Sequence, residues 1–492
     1  MYNRILFFLS ILFLFSITSC KKEKPISKNE VLFNTYCASC HIAPKIEELP
    51  KAIWKNSILP DMASRMEIEE MYQDPNQVIH GIRPKIKLND WMSLQNYIVS
   101  LAPEKLASNI ISKWDTISLF KQKPLTLDSQ NGALITFLEF HTENNELFYG
   151  TVSGTLSSYN FKNNENSVKY QMQTPVTWFN KTKDIDYITE VGILDPSELE
   201  KGSLLKVADT DTLLIPEQFH RPVHNLVKDL NGDGIKEMVI SEFGNETGKL
   251  SLMIQNDSIS FDKKVLMNLP GCIRTIAKDM NNDGKLDLVT LFSQGNESIT
   301  IFYQEENLKF RAEKVIEFSP VYGSSWFELI DYNYDGFTDI ITVNGDNADK
   351  SYVNKPYHGM RIHLNDGKNN FTESYFYPLN GATRVIANDF DQDKDVDFAL
   401  ISTFPDYDNG PQFSFVYLEN TNSLNYNFKT QVLEDPNLGR WFLMDAGDID
   451  ADGDDDIILS SFTYVFTPVP DSLSKRWNQS NTDILVLENN LH

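Results

Sequence analysis

The stretch "DLNGDGIKE" (229–237) decides the architecture, because its pattern returns four times: "DMNNDGKLD" (279–287), "DYNYDGFTD" (331–339), "DFDQDKDVD" (389–397) and "DIDADGDDD" (448–456). Every copy carries an acid or amide at its first, third, fifth and ninth positions. These are Asp229, Asn231, Asp233 and Glu237; Asp279, Asn281, Asp283 and Asp287; Asp331, Asn333, Asp335 and Asp339; Asp389, Asp391, Asp393 and Asp397; and Asp448, Asp450, Asp452 and Asp456. Oxygen ligands at alternating loop positions wrap around a hard cation of calcium size, so the pattern implies up to five Ca²⁺ sites. The sixth position, where such a loop turns sharply, is glycine in four copies and Lys394 in the fourth. A left-handed lysine costs about 1 kcal/mol, so the fourth site is expected to be the weakest.

An EF-hand needs a bidentate Glu at position 12 and flanking helices. Position 12 is Ile240, Thr290, Thr342, Leu400 or Leu459, and the residues after position 9 are β-formers such as "MVIS", "LVTLF" and "IITV". Each loop therefore joins two strands. The repeat resembles the FG-GAP (VCBS) family, and the resemblance implies propeller blades whose inner strands are linked by calcium-binding turns. Two further units upstream, "ITFLEFHTENNELFYGTVSGTLSSYNF" (135–161) and "PVTWFNKTKDIDYITEVGILDPSELEKGSLLKV" (175–207), keep the strand rhythm without the acidic loop. Five acidic units and two degenerate ones make seven blades, a size at which four-stranded sheets close into a ring. The propeller is expected over 123–492, behind a linker at 104–122.

The chain opens with a short basic region and an apolar run, "ILFFLSILFLFSIT" (5–18), followed by Ser19 and Cys20. Such a run is a secretory signal, and "SC" resembles the lipobox of bacterial lipoproteins. The resemblance implies a signal peptide at 1–19, lipidation at Cys20, a tether at 20–29, and an exported protein anchored by lipid. The outer membrane, facing periplasm or cell surface, is the expected location. With 69 acidic against 44 basic residues the net charge is −25, which argues against nucleic acid as a partner and against anionic membrane surfaces beyond the lipid anchor. The four cysteines, Cys20, Cys37, Cys40 and Cys272, provide no disulfide framework.

Cys37 and Cys40 lie in "YCASCHIAP" (36–44). No second cysteine pair completes a zinc site, and no βαβ setting surrounds a redox dithiol. C-x-x-C-H is the attachment signature of c-type haem, with one covalent haem held by Cys37 and Cys40 and His41 as proximal ligand. The motif is expected on a helix with an apolar side of Val31, Leu32, Phe33 and Tyr36, where residues i and i+3 share a face and both thiols can meet the haem. Met62, Met66, Met71 and His80 are candidates for the sixth ligand. The segment "LNDWMSLQNYIVSLAP" (88–103) reads as a closing helix, with Asn89 as cap and Trp91, Leu94, Ile98 and Leu101 on one stripe. Residues 30–103 thus resemble a small all-α class I cytochrome c domain. In that family the ligand follows a helical Trp at a W-x(6–7)-M spacing, which favours Met62 after Trp54.

The expected whole is a small α-helical haem domain followed by a large all-β propeller. Electron transfer to a redox partner protein, with the propeller binding a partner or ligand, is the leading reading. An oxidoreductase with a substrate site in the propeller channel is a second, and a binding or adhesion module a third. No motif declares a catalytic residue. The expected ligand surface lies opposite the acidic loops, where the first strand of each blade begins, at Arg221, His224, Arg274, Trp326, Arg384, Arg440 and Trp441. Arginine forks suit carboxylates or phosphates and indoles suit sugar rings, so the ligand is expected to be a carbohydrate or an anionic small molecule. The competing role for these arginines is neutralisation of carboxylates such as Glu328 and Asp445. Lone Cys272, at the same rim, is expected to be a small buried residue.

Overall fold

The computed structural model describes residues 26–69, 84–208, 211–257, 260–348 and 351–491. The expected signal peptide, Cys20, Met71 and His80 lie outside these residues. The chain is mostly β, with few helices. No helix among the described residues is long and apolar enough to cross a membrane.

Seven antiparallel sheets form the blades of a propeller. The first runs over 135–171, the second over 176–214, and the five acidic units supply the rest, beginning at Pro222, Cys272, Ser324, Ala382 and Trp441. Within the first five blades the strands follow one another in space as in sequence, and the sixth and seventh each add a strand from residues 115–125. First strands of neighbouring blades meet around the central axis. The second strands behind the acidic loops, Glu237–Glu242, Asp287–Phe292, Asp339–Asn344, Asp397–Ser402 and Asp456–Ser461, are buried at every position. A strand covered on both faces reads as an unbroken apolar run, which explains why "MVIS" and "LVTLF" lack polar alternation.

The linker expected at 104–122 is corrected at its end. Asp115–Thr116 adds a parallel strand to the sixth blade, beside Gln431 and Val432. Phe120–Leu125 forms the outer strand of the seventh blade, antiparallel to Ile484–Asn489. "FKQKPL" has no apolar alternation to announce a strand. Its Phe120 side chain is nevertheless buried, edge-on to Phe390 and Tyr417. The propeller therefore starts near residue 115, and its seventh blade is built from both ends of the ring.

Residues 28–69 and 84–102 build a helical unit with its own apolar cluster. Helices Lys28–Tyr36, Leu59–Arg65 and Leu88–Leu101 surround Leu32, Leu49, Trp54, Met66, Trp91, Leu94 and Ile98. A π-helical turn, Trp54–Ile58, precedes the middle helix, and the Trp54 indole N–H donates to the Ile46 carbonyl at 2.8 Å. Two details differ from expectation. The closing helix is capped by the extended Lys87, so Asn89 lies inside its first turn, and Leu101 points to solvent. The first helix ends at Tyr36, with the Cys37 N–H bonded to Phe33 O. Cys37 is thus the cap residue, and Cys40 and His41 lie beyond it in the following bends.

The ring-closing strand generates a test. A chain starting at residue 112 keeps both added strands and is expected to melt cooperatively, whereas one starting at residue 128 lacks them and is expected to lose the cooperative transition by circular dichroism. In the full chain, Phe120→Ala removes a buried aromatic ring and should destabilise the propeller by about 3–5 kcal/mol, read by denaturant titration.

Candidate functional site

The five acidic loops share one geometry. In each, the N–H of the sixth residue donates to the first aspartate: Gly234 to Asp229, Gly284 to Asp279, Gly336 to Asp331, Lys394 to Asp389 and Gly453 to Asp448, at 2.8–3.2 Å. That residue has positive φ throughout, and Lys394 takes φ 76° just as its glycine counterparts take 83–101°. The oxygens of Asp389, Asp391 and Asp393 lie within 4.8 Å of one another, as do those of Asp448, Asp450 and Asp452. The other three loops carry Asn231, Asn281 and Asn333 at the third position.

The ninth-position acids sit deeper. Each accepts the N–H of the second loop residue, from Leu230 to Glu237 through Ile449 to Asp456, at 2.9–3.2 Å. Asp287, Asp339, Asp397 and Asp456 also accept an N–H near the end of the third strand, from Gln304, Asn365, Asn420 and Asn489. These carboxylates therefore staple loop to sheet. Burial, opposed by those hydrogen bonds, pushes Asp339 and Asp456 up to about 6 and Asp397 up to about 7, with neighbouring loop acids adding to the rise. The metal-free fold thus opposes the charge it concentrates, and a divalent cation would relieve that opposition.

On the opposite face of the ring the helical unit meets the propeller across a cavity of about 920 Å³. Cys37, Cys40, His41, Met62 and Met66 line it from the helical side, with Leu49, Trp54, Trp91 and Ile98 behind them. The propeller supplies the loops at 245–249, 268–270 and 293–297, together with Pro320, Val321, Gly323 and Ser324. Polar contacts join the two parts. Both terminal nitrogens of Arg65 donate to Glu246 at 2.5 Å, Ser319 donates to Glu48 at 2.7 Å, Tyr357 donates to Glu48 O at 2.7 Å, and Asn296 donates to Cys40 O at 3.3 Å. Burial raises the Cys37 thiol to about 12. His41 Nδ1 lies 2.8 Å from Ile42 O; a carbonyl only accepts, so Nδ1 is the donor in this bond and Nε2 is not part of it. Met62 is half-buried and Met66 almost fully buried.

The residues expected at the channel mouth separate into two groups. One extra residue bulges into the first strand of every blade, at the steps Ile135/Phe137, Val176/Trp178, Pro222/His224, Cys272/Arg274, Ser324/Trp326, Ala382/Arg384 and Trp441/Leu443. The residues directly after these bulges meet one another around the ring. Phe137 lies against Trp178 (5.6 Å between ring centroids) and Trp178 against His224 (4.2 Å). The guanidinium of Arg274 lies 4.0 Å, and that of Arg384 4.5 Å, from the Trp326 ring centre. His224, Arg274, Trp326 and Arg384 are therefore brought together as expected.

Arg221, Arg440 and Trp441 are not. Arg221 donates to Leu194 O and lies over Phe243. Arg440 is buried, bonded to Tyr464 O and Thr467 and stacked on Phe466. Trp441 precedes its bulge, so its ring turns into the core with Phe415, Ile457 and Leu485. Cys272 holds the same pre-bulge position and is buried, its thiol raised to about 12. Sequence reading missed Phe137 and Trp178 because their blades lack the acidic loop that sets the alignment. Neutralisation applies to only part of the ring: Arg274 pairs with Glu328 at 2.7 Å, whereas Asp445 accepts the Phe140 and Ala446 N–H groups, and burial pushes it up to about 7.

Residues 279–342, which span the second and third acidic loops, match the model for the FG-GAP-like repeat. Among solved structures the chain is similar to the WD40 domain of Neurospora crassa Pan2, with 12% identity and a TM-score of 0.43 over 76% of this chain and 98% of that one. No curated protein matches the chain significantly.

Two measurements address the loops. Excess chelator should lower the melting temperature of the propeller, because a cation bound only to the folded form stabilises it by mass action; an unchanged melting curve would show that the loops hold no metal. Lys394→Gly should stabilise the calcium-free chain by about 1 kcal/mol, since only the lysine bears a Cβ penalty at that positive φ.

Proposed function

We propose that this chain is a c-type haem electron-transfer protein whose calcium-stabilised propeller serves as its binding platform. A propeller with FG-GAP-like repeats suggests a binding or adhesion-type module. The haem is the finer reading, and one observation carries it: the only C-x-x-C-H of the sequence opens into a large, apolar-walled cavity.

The residues present fit the group. Cys37 and Cys40 would form the two thioethers, and His41, with Nδ1 bonded to Ile42 O and Nε2 outside that bond, would be the proximal ligand. A backbone carbonyl that accepts from the far ring nitrogen orients a ligating imidazole. Leu49, Trp54, Trp91 and Ile98 offer apolar walls, and the volume falls within the usual range of cofactor pockets. Met62 is preferred as distal ligand because it is half-buried at the cavity wall, whereas Met66 is packed in the core of the helical unit. When bound, the haem would supply one-electron transfer, and the chain would bind it, exclude water from it and present its edge to a redox partner protein. Calcium would be held by the five loops on the far face. Lipidation at Cys20 would tether the exported protein, with the outer membrane as the proposed location.

An oxidoreductase reading is favoured by one separate observation, that a single segment contributes to both the cavity and the channel ring. Gly323 and Ser324 line the cavity, and Trp326 of the channel ring follows two residues later.

Haem should stay with the chain through heat denaturation and acidic acetone extraction, and should be lost when Cys37 and Cys40 are both replaced by Ala. Haem extracted from the unaltered protein would refute covalent attachment. Met62→Leu should abolish the weak sulfur-to-iron absorption band of the oxidised protein; loss of that band in Met66→Leu instead would assign the other methionine.

A further inference from the structure

We propose that the propeller channel, at the mouth facing the helical unit, is a binding site for a small ring-bearing oxyanion, with Arg384 and Arg274, held against Trp326, gripping the anionic group and Trp178 flanking the ring. The proposal rests on the reading of the propeller as a binding platform and is independent of haem.

Charge is the first observation. Arg274 and Arg384 both pack against the indole of Trp326, so two cations share one aromatic ring in a protein of net charge −25. A single carboxylate, Glu328, stands beside them. Its Oε1 already accepts from Arg274 at 2.7 Å and from the Trp326 indole at 2.9 Å. Arg384 has no carboxylate within ion-pair distance among the described residues, and its one hydrogen bond goes to the neighbouring Thr383 O at 2.8 Å. Asp346 reaches it only as a more distant charge. Burial together with Arg274 brings the Arg384 guanidinium down to about 10. A guanidinium presents five donors in a planar fork, and that of half-buried Arg384 has donors left over beyond its bond to Thr383 O. An oxyanion between the two arginines would supply the missing partner.

The second observation is His224. It is 5% exposed, and its Nδ1 is buried without a hydrogen-bond partner. Burial, reinforced by Arg274, lowers its pKa to about 3, so the imidazole is neutral and can offer one donor or one acceptor to a ligand hydroxyl. Its ring stacks on Trp178 at 4.2 Å. The ring order Trp178, His224, Arg274, Trp326, Arg384 thus alternates flat faces with polar groups. An indole covers the apolar face of a sugar ring, and an arginine fork takes its carboxylate. A role in stability alone would explain Arg274, whose Nη1 pairs with Glu328 and bonds to Phe327 O, but leaves the Arg384 fork and His224 Nδ1 unexplained.

The test is isothermal titration calorimetry on the full-length, calcium-loaded chain, with galacturonate, neutral galactose and inorganic phosphate as probes. Galacturonate binding that weakens at least tenfold in Arg384→Gln, with galactose silent, supports the site and assigns a ring-borne carboxylate. Phosphate binding as tightly, and with the same loss in Arg384→Gln, supports the oxyanion grip and assigns its source to a free anion. Heat from neither anion, or binding unchanged in Arg384→Gln, overturns the proposal. If Arg384→Gln fails to fold, Arg384→Lys keeps the charge and removes the fork; unchanged affinity there also overturns it. The readout does not involve the haem, so failure here leaves the electron-transfer reading standing, and a chain without haem can still bind the anion.

Discussion

Strand Phe120–Leu125 pairs residue by residue with Ile484–Asn489, and every blade of the propeller depends on that pairing. Radial repetition leaves each blade only short edges, and without this strand the seventh blade would expose the unpaired backbone of Ile484–Asn489. The closing strand comes from the front of the chain and its partners from the back, so the seventh blade is complete only when the two ends of the propeller meet. Backbone bonds alone would not hold it. Phe120 enters the aromatic group of Phe390 and Tyr417, which belong to the sixth blade. The closure therefore locks two blades at once.

Each blade then has two differently furnished ends. At one, the acidic loop is pinned by its ninth-position carboxylate, which bonds to the loop backbone and in four blades to the third strand as well. At the other, a one-residue bulge shifts the phase of the first strand. Because side chains alternate faces with a period of two, that shift sends the residue before the bulge into the core and the residue after it into the channel. Trp441 and Cys272 fall on one side of this division, and Arg274, Trp326 and Arg384 on the other. Bulges re-aim side chains in this manner near functional sites.

The helical unit seats on the bulge-bearing end, which separates the acidic loops from the cavity by the height of a blade. Its docking is mainly polar, through Arg65–Glu246 and the hydroxyl groups that bond to Glu48, with Val321 as an apolar contact. Such an interface permits the two parts to keep separate cores, and they do: the apolar cluster around Trp54 and Trp91 draws only Val321 from the propeller.

The repeat by itself fixed the propeller, the five loops and, through the strand rhythm of 135–161 and 175–207, the seven blades, because acidic turns and apolar runs are local patterns. It also located Cys37, Cys40 and His41, whose spacing is chemistry written along the chain. The sequence did not show that "FKQKPL" is a strand, since its pairing with residues 484–489 is made only in three dimensions. Nor did it separate Trp441 from Trp326, because a bulge is set by how two strands register and leaves no mark in composition. Trp178 joined the ring for the same reason: its blade lacks the acidic landmark, and only the closed ring sets it beside His224. The tertiary structure alone placed the C-x-x-C-H motif over the propeller and so made one cavity from two parts of the chain, because that contact joins residues far apart in sequence whose local patterns carry no trace of each other.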